Sequence, residues 1–453
     1  MKPLKPREPT LQKISGKNAV NGVKATNTLG EITEDKPLLS VVGVNVAFAK
    51  KGLDALGVTD DLLDPLFKAG QKDDAFALND KGVGATKEEF KPDWDEAFLQ
   101  ENQEIHGVFL IAGDSFDTVN AKLDEIKNIF TADGTSSIAD VATLAGDVRP
   151  GENKGHEHFG YMDGISQPAL KGVDDVNGKQ PLPGQSLIDL GVVLHGRGKD
   201  AITGRPEWSK DGSFLAFRKL PQLVPEFDKF LLDAAGNIKS FDDFLDPPTA
   251  ADILGARMVG RWKSGAPIRV APLEDDVALA NDPQRNNKFR FNPESQEICP
   301  FAAHIRKMNP RKDLDKFKGP PDFVDPVDEH LIMRRGIPFG PEVTTEEKLT
   351  KTTKYERGLY FVSYQADLSN GFSFLQKSWA NNTAFPPLND PSVVPGFDPI
   401  IGQALDEVRA MSGANDDATN DSLPLSRQWV QSKGGEYFFS PSIKALGGVL
   451  SGN

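Results

Sequence analysis

The distribution of apolar runs limits this chain most. LLSVVGVNVAFA (38–49) is Val-rich and reads as a buried strand, and IHGVFLIAG (105–113) reads as a second. After the second strand, Asp114 and Ser115 offer caps to a segment in which Phe116, Val119, Leu123, Ile126 and Phe130 recur at helical spacing. Further strands are expected at SLIDLGVVLHG (186–196), GSFLAFRKL (212–220), RGLYFVSYQA (357–366) and EYFFSP (436–441). Helical patterns fall at 222–235, 250–262 and 370–382. Strands and helices do not alternate regularly, and long irregular connections carry many of the 33 prolines. The expected class is therefore α+β with antiparallel sheets, not a doubly wound parallel sheet.

Bulk chemistry removes several function classes. Against 52 basic residues stand 66 acidic ones, a net charge of −14, which opposes general affinity for nucleic acid or anionic membranes. No apolar run is long enough for a membrane-spanning helix. Cys299 is the only cysteine, so neither an intramolecular disulfide nor a Cys-based zinc site is open to the chain. The first residues, MKPLKPREPTLQKISGKN, are basic without an apolar stretch, which leaves open a cytosolic chain or one whose leader was removed. Nucleotide-binding loops, HExxH and the GxSxG elbow are missing, so the common hydrolase and nucleotide-dependent chemistries have no anchor.

Six histidines remain to carry chemistry, and two segments stand out. In GHEHFGYMDGISQPAL (155–170), Asp163 is framed by Gly160 and Gly164, which suits a turn or a close approach of backbone to a flat ligand with one carboxylate aimed at it. The HxH at 156–158 could contribute to a metal site, but two histidines in one extended loop point to opposite sides. In CPFAAHIRKMNPR (299–311), His304 lies in an apolar setting, followed by Arg306, Lys307 and Arg311. A histidine beside one cationic surface suits an axial haem ligand with guanidinium groups receiving the propionates. Cys299 is a rival ligand, because a thiolate also binds haem iron.

Four blocks, in order, carry a family resemblance. HFGYMDGISQPAL resembles the GxxDG signature of the dye-decolorizing peroxidases, and CPFAAHIRKMNPR resembles their proximal-histidine segment. IMRRGIPFGPE resembles the distal-arginine segment, and RGLYFVSYQADLSNGFSFLQKSW the block that follows it. AFAKKGLDALGV (47–58) is similar to the family's first strand and turn, so the likeness runs from about residue 38 onward and is greatest to the fungal branch.

The resemblance implies two ferredoxin-like α+β units of the dimeric α+β barrel type, with haem in the C-terminal half. Their expected extents are 37–185 and 186–453, after an N-terminal arm over 1–36. It implies one haem b per chain with His304 as its fifth ligand, Asp163 as distal acid, Arg334 rather than Arg335 as distal arginine, and Leu359 and Phe361 lining the pocket. Asp398, in PGFDPIIG, is the candidate acceptor for the other imidazole N–H, and Trp379 matches a surface electron-transfer site. The family's nearby tyrosine is Phe339 here, with Tyr360, Tyr364 and Tyr437 as substitutes. The acids Asp322, Asp325, Asp328 and Glu329 could attract Mn²⁺, although a solvated loop is the simpler reading.

The implied function is a secreted peroxidase that uses H₂O₂ to oxidise anthraquinone and azo dyes, phenols and other aromatic reductants at acidic pH. No nucleic acid, membrane or protein partner is expected. Two rivals share the fold: a haem carrier, which would need only His304, and another haem enzyme such as a dehydratase, which would not need Asp163.

Overall fold

The computed structural model describes residues 41–452 apart from 102, 133, 237–246, 318–326, 389–391, 406–407 and 415–421. The arm expected over 1–36 lies outside these residues, as do Asp322 and Asp325. Chain contacts define a smaller unit that ends at Ala47 and resumes over Gly107–Val141, and a larger one formed by Phe48–His106 and Ala142 onward.

In the smaller unit, strands β1 (Val42–Phe48) and β2 (Gly107–Gly113) lie side by side, followed by helix α1 (Phe116–Ile129). Ser115 caps the helix by accepting from the Thr118 amide at 3.2 Å, while the Asp114 carboxylate instead holds the Val41 amide at 3.2 Å. Ile126 is buried on the helix, and the Phe130 ring lies 5.8 Å from Phe109 of β2. The expectation of a buried first strand needs correction: Gly43, Val44 and Asn45 are exposed. Valine favours the extended backbone whether one face is covered or two, so a Val-rich run does not report burial.

The larger unit is built on an antiparallel sheet. Its strands are β3 (Ser213–Pro221), β4 (Met333–Arg334), β5 (Ile337–Phe339), β6 (Gly358–Gln365) and β7 (Gly435–Ser440). Their order is β4–β6–β3–β7, and β5 also pairs with β6. Helices α2 (Val224–Ala235) and α3 (Pro247–Val259) pack together around Phe227, Leu231, Leu254, Met258 and Trp429. Helix α3 stops at Gly260, whose φ of +92° ends the right-handed turn three residues before the 250–262 pattern does. Helix α4 (His304–Met308) and α5 (Phe372–Phe374) follow, the latter running into a π-helical turn over Leu375–Ala380.

The strand expected over 186–196 is not formed. Only Leu187–Ile188 pairs, in parallel with Ala169–Leu170, and the chain then winds into a 3₁₀ turn over Leu190–Val192. Gly191 decides this, because its amide donates to Gly198 O at 3.0 Å and an added Cβ would sit 2.0 Å from the Asp200 nitrogen. Contact with a loop further along the chain overrides the local strand pattern. Among the described residues, no helix is long and apolar enough to cross a membrane.

Candidate active site

His304 opens helix α4, where Ala303 leaves extended backbone and the imidazole projects from the first turn. Its Nδ1 donates to Asp398 Oδ2 at 2.8 Å. Asp398 is fully buried, and its other oxygen accepts from the Ile400 and Ile401 amides at 2.8 and 3.0 Å. Arg409 donates to the carbonyls of Asp398 and Pro399, both at 3.1 Å, and so braces the same turn. Among the described residues nothing bonds to His304 Nε2. Burial opposes charge at both members of the pair, and their attraction outweighs it: the Asp398 carboxyl is held below its ordinary range and the His304 pKa is raised.

A second pair shares this electrostatic environment. Arg334 Nη1 donates to Asp163 Oδ1 at 2.7 Å. The same oxygen accepts from the Gly164 amide at 2.6 Å, a geometry that the φ of +81° at Gly164 allows. Among the described residues Asp163 Oδ2 has no partner. Enclosure opposes the Asp163 charge, but Arg334 outweighs it and holds the carboxyl below its ordinary range, with a smaller contribution from His304. The side chains of His304, Asp163 and Arg334 retain 29, 37 and 31% exposure, so none is sealed from a ligand placed between the pairs.

The sheet sets which groups face Arg334. In an antiparallel sheet, residues directly opposite share a face. Arg334 stands opposite Ser363 of β6, so Leu359, Phe361 and Ser363 line its side of that strand. Arg335 falls on the other face, is exposed, and donates to the Arg334 carbonyl at 2.8 Å. Three positions that sequence reasoning missed hold the loop that carries Asp163. Gln167 Oε1 accepts from the Arg334 amide at 3.1 Å, while Glu157 accepts from the Phe159 and Tyr161 amides, each at 2.9 Å. Arg149 donates to the Glu157 carbonyl. The first two lie inside the 155–170 segment, whose polar residues could have been scored as donors and acceptors for its own backbone.

The cationic surface expected after His304 is absent. Arg306 is 1% exposed, and all five of its N–H groups are used: two by Asp313 and three by the carbonyls of Asn292, Ser295 and Cys299. No donor is left for a propionate. Lys307 is buried and donates to the Trp379 and Asn382 carbonyls at 3.1 and 2.6 Å, with burial pushing its pKa down to about 7. Arg311 donates to the carbonyls of Asn287 and Phe289. Carbonyls left unpaired by irregular backbone absorb these cations, and one-dimensional charge clustering does not show that.

Other expectations are also altered. Cys299 is buried and its thiol is pushed up to about 11, which opposes a thiolate ligand. His158 donates through Nε2 to the Phe339 carbonyl at 2.8 Å, and burial lowers its pKa to about 4. Among the described residues no group of three or more His, Cys, Asp or Glu could hold a metal ion, so the HxH reading gains no site, while the Mn²⁺ reading depends on Asp322 and Asp325, outside the described residues. Trp379 is not at the surface: it is 3% exposed, stacked on Phe385 at 4.9 Å and edge-on to His330 at 5.3 Å. It does line a cavity of about 300 Å³ together with Leu314, Phe374, Ser378 and Pro387.

Two family models match the chain: a DyP dimeric alpha+beta barrel domain over residues 9–150 and a Dyp-type peroxidase C-terminal domain over 256–389. The first begins inside the segment read as an arm. The chain is 46% identical to dye-decolorizing peroxidase AauDyP1 of Auricularia auricula-judae, over 91% of this chain and 76% of that protein. It is 44% identical to dye-decolorizing peroxidase msp1 of Mycetinis scorodonius, over 93% and 80%. A solved ancestral D-type dye decolorizing peroxidase superposes with a TM-score of 0.84 at 54% identity, covering 91% of this chain and 86% of the other. The fold is that of a peroxidase with a dimeric α+β barrel architecture. This chain belongs to the dye-decolorizing peroxidase family, on its fungal branch, and the family implies a haem cofactor.

Proposed function

We propose that this peroxidase holds one haem b per chain through His304 Nε2 and activates H₂O₂ with Asp163 and Arg334. What supports haem at this position is the donor set: a free imidazole nitrogen whose opposite nitrogen is fixed by a buried carboxylate, near enough to an acid and a guanidinium for their charges to interact. Bound haem would supply the iron that accepts the oxidising equivalents of peroxide.

The protein groups then have distinct tasks. Asp398 fixes the Nδ1–H tautomer and makes the imidazole a stronger electron donor. Both bonds to Asp163 fall on Oδ1, so Oδ2 is the atom that takes a proton from the near peroxide oxygen and returns it to the far one. Arg334 presents a guanidinium that stabilises negative charge on the departing oxygen. Leu359 and Phe361 present apolar surface beside this pair and limit water.

The Asp163–Arg334 ion pair carries this reading, because a haem carrier has no use for it. The test is a visible spectrum before and after one equivalent of H₂O₂, for the wild type and Asp163→Asn. The variant should keep its Soret band and lose ~10²–10⁴ in the rate of the peroxide-induced change. An unaltered rate removes Asp163 from the mechanism. The wild-type rate should persist to below pH ~4, because a depressed carboxyl pKa keeps the base charged until pH falls through it. A profile that collapses at pH 5 contradicts the assignment.

Anthraquinone and azo dyes, phenols and secretion belong to the same proposal. Dyes too large for the haem pocket would give electrons through Trp379, a largely buried ring that borders an open cavity. Trp379→Ser should slow dye oxidation at least tenfold while sparing small phenols; equal losses for both would eliminate this route.

A further inference from the structure

We infer that Tyr437 and Asp74 form a buried redox pair that stores one oxidising equivalent from peroxide as a neutral tyrosyl radical. This rests on the peroxidase reading above and adds a site remote from it.

A phenol gives up an electron readily only when its proton leaves at the same time, so a redox-active tyrosine needs a base on its hydroxyl. Among the described residues Tyr437 is the tyrosine whose O–H donates to a carboxylate, Asp74 Oδ2, at 2.8 Å. The ring is fully buried and Asp74 is 5% exposed. Burial, followed by the charge of Asp74, holds the phenol far above its ordinary pKa, so the resting residue is the protonated phenol. The carboxylate is itself held by Ser373 Oγ at 3.1 Å and Lys377 Nζ at 3.2 Å, which keeps the acceptor in place.

Among the described residues the other tyrosines lack this arrangement. Tyr161 is buried with an unpartnered hydroxyl, and Tyr355 is 52% exposed. Tyr360 stacks on Phe339 at 4.3 Å, with no carboxylate on its hydroxyl.

The sheet links Tyr437 to the distal site. Arg334 stands opposite Ser363, Ser363 opposite Ala216, and Ala216 opposite Tyr437, so one cross-strand row carries all four on one face. Three strand spacings put the ends of the row ~14 Å apart along the sheet. Rings fill the space beside it: Phe361 to Phe372 is 5.7 Å and Phe372 to Tyr437 is 6.1 Å between centroids.

The step balances within the protein. One electron leaves the phenol for the oxidant that peroxide generates, and the hydroxyl proton moves to Asp74 Oδ2, leaving a phenoxyl radical and a neutral carboxylic acid. Reduction by an electron from substrate returns the proton along the same hydrogen bond. Because both groups are buried, the proton is retained and the cycle is reversible.

Freeze-quench electron paramagnetic resonance after one equivalent of H₂O₂, without reductant, tests this on the holoprotein. Wild type should give a tyrosyl signal whose hyperfine structure collapses with ring-deuterated tyrosine. Tyr437→Phe should lose that signal while its Soret change persists. Asp74→Asn should lose it as well, and the labelled wild type keeps the test decisive if that variant fails to fold. A Soret change accompanied by a radical that survives in Tyr437→Phe, or by no tyrosyl radical in wild type, overturns the pair alone. A Soret band that peroxide does not move overturns the pair together with the proposed function.

Discussion

Replacing Asp398 with Asn should damage haem binding through the tautomer of His304. The buried carboxylate accepts three hydrogen bonds, one from His304 Nδ1 and two from the Ile400 and Ile401 amides. An amide has one acceptor oxygen, and the two backbone N–H groups claim it. Each such bond contributes ~1 kcal/mol net, so the two together favour that orientation by ~2 kcal/mol. This is a factor of ~30 in population, by the relation of ~1.4 kcal/mol per tenfold. The NH₂ group then faces Nδ1, which must become an acceptor, and the imidazole proton moves to Nε2. A protonated Nε2 cannot ligate iron. Haemin titrated into apoprotein and followed at the Soret band should therefore bind ~10–100-fold more weakly, the usual cost of losing an outer partner of a metal-bound histidine. Asp398→Ala should bind better than Asp398→Asn, since an empty space does not impose the wrong tautomer. Equal haemin affinity for wild type and Asp398→Asn, or a weaker Asp398→Ala, would refute the argument.

Arg334→Leu removes the charge that supports the departing oxygen and should lower the rate of the peroxide-induced Soret change by ~10²–10³ in stopped flow. It also removes what holds the Asp163 carboxyl down, leaving enclosure to raise it, so the acid limb of the pH–rate profile should move to higher pH. An unmoved limb would mean that the two residues are not coupled. Arg306→Leu leaves Asp313 buried without its partner and should cost ~3–5 kcal/mol of stability in urea unfolding, with haemin affinity of the folded protein nearly unchanged. A large loss of affinity at unchanged stability would restore Arg306 to the haem site.

Local pattern was enough for much of the framework. The runs at 212–220, 357–366 and 436–441 became β3, β6 and β7 because β-branched and aromatic residues suit pleated backbone wherever partners exist. Ser115 capped its helix because capping is settled within three residues. The short motifs also singled out His304 and Asp163, since a Gly-framed acid and an isolated histidine in apolar surroundings are unusual in one dimension, and the family resemblance added Arg334 and Asp398. Tertiary contact decided what those motifs face. Arg334 and Arg335 are adjacent and chemically alike, and only the pairing of β4 with β6 turns the first toward Asp163. Arg306 looked like a surface cation until the carbonyls of 292–299 and the Asp313 side chain claimed its donors. Gly191 bent an apparent strand by touching Asp200, and Trp379 went inside against Phe385. Asp74 and Tyr437 are 363 positions apart, and their hydrogen bond exists only because folding brings a short helix against β7. Backbone preference acts over a few residues and is written in the sequence, whereas donors, acceptors and charges are matched through space, so their partners emerge only with the fold.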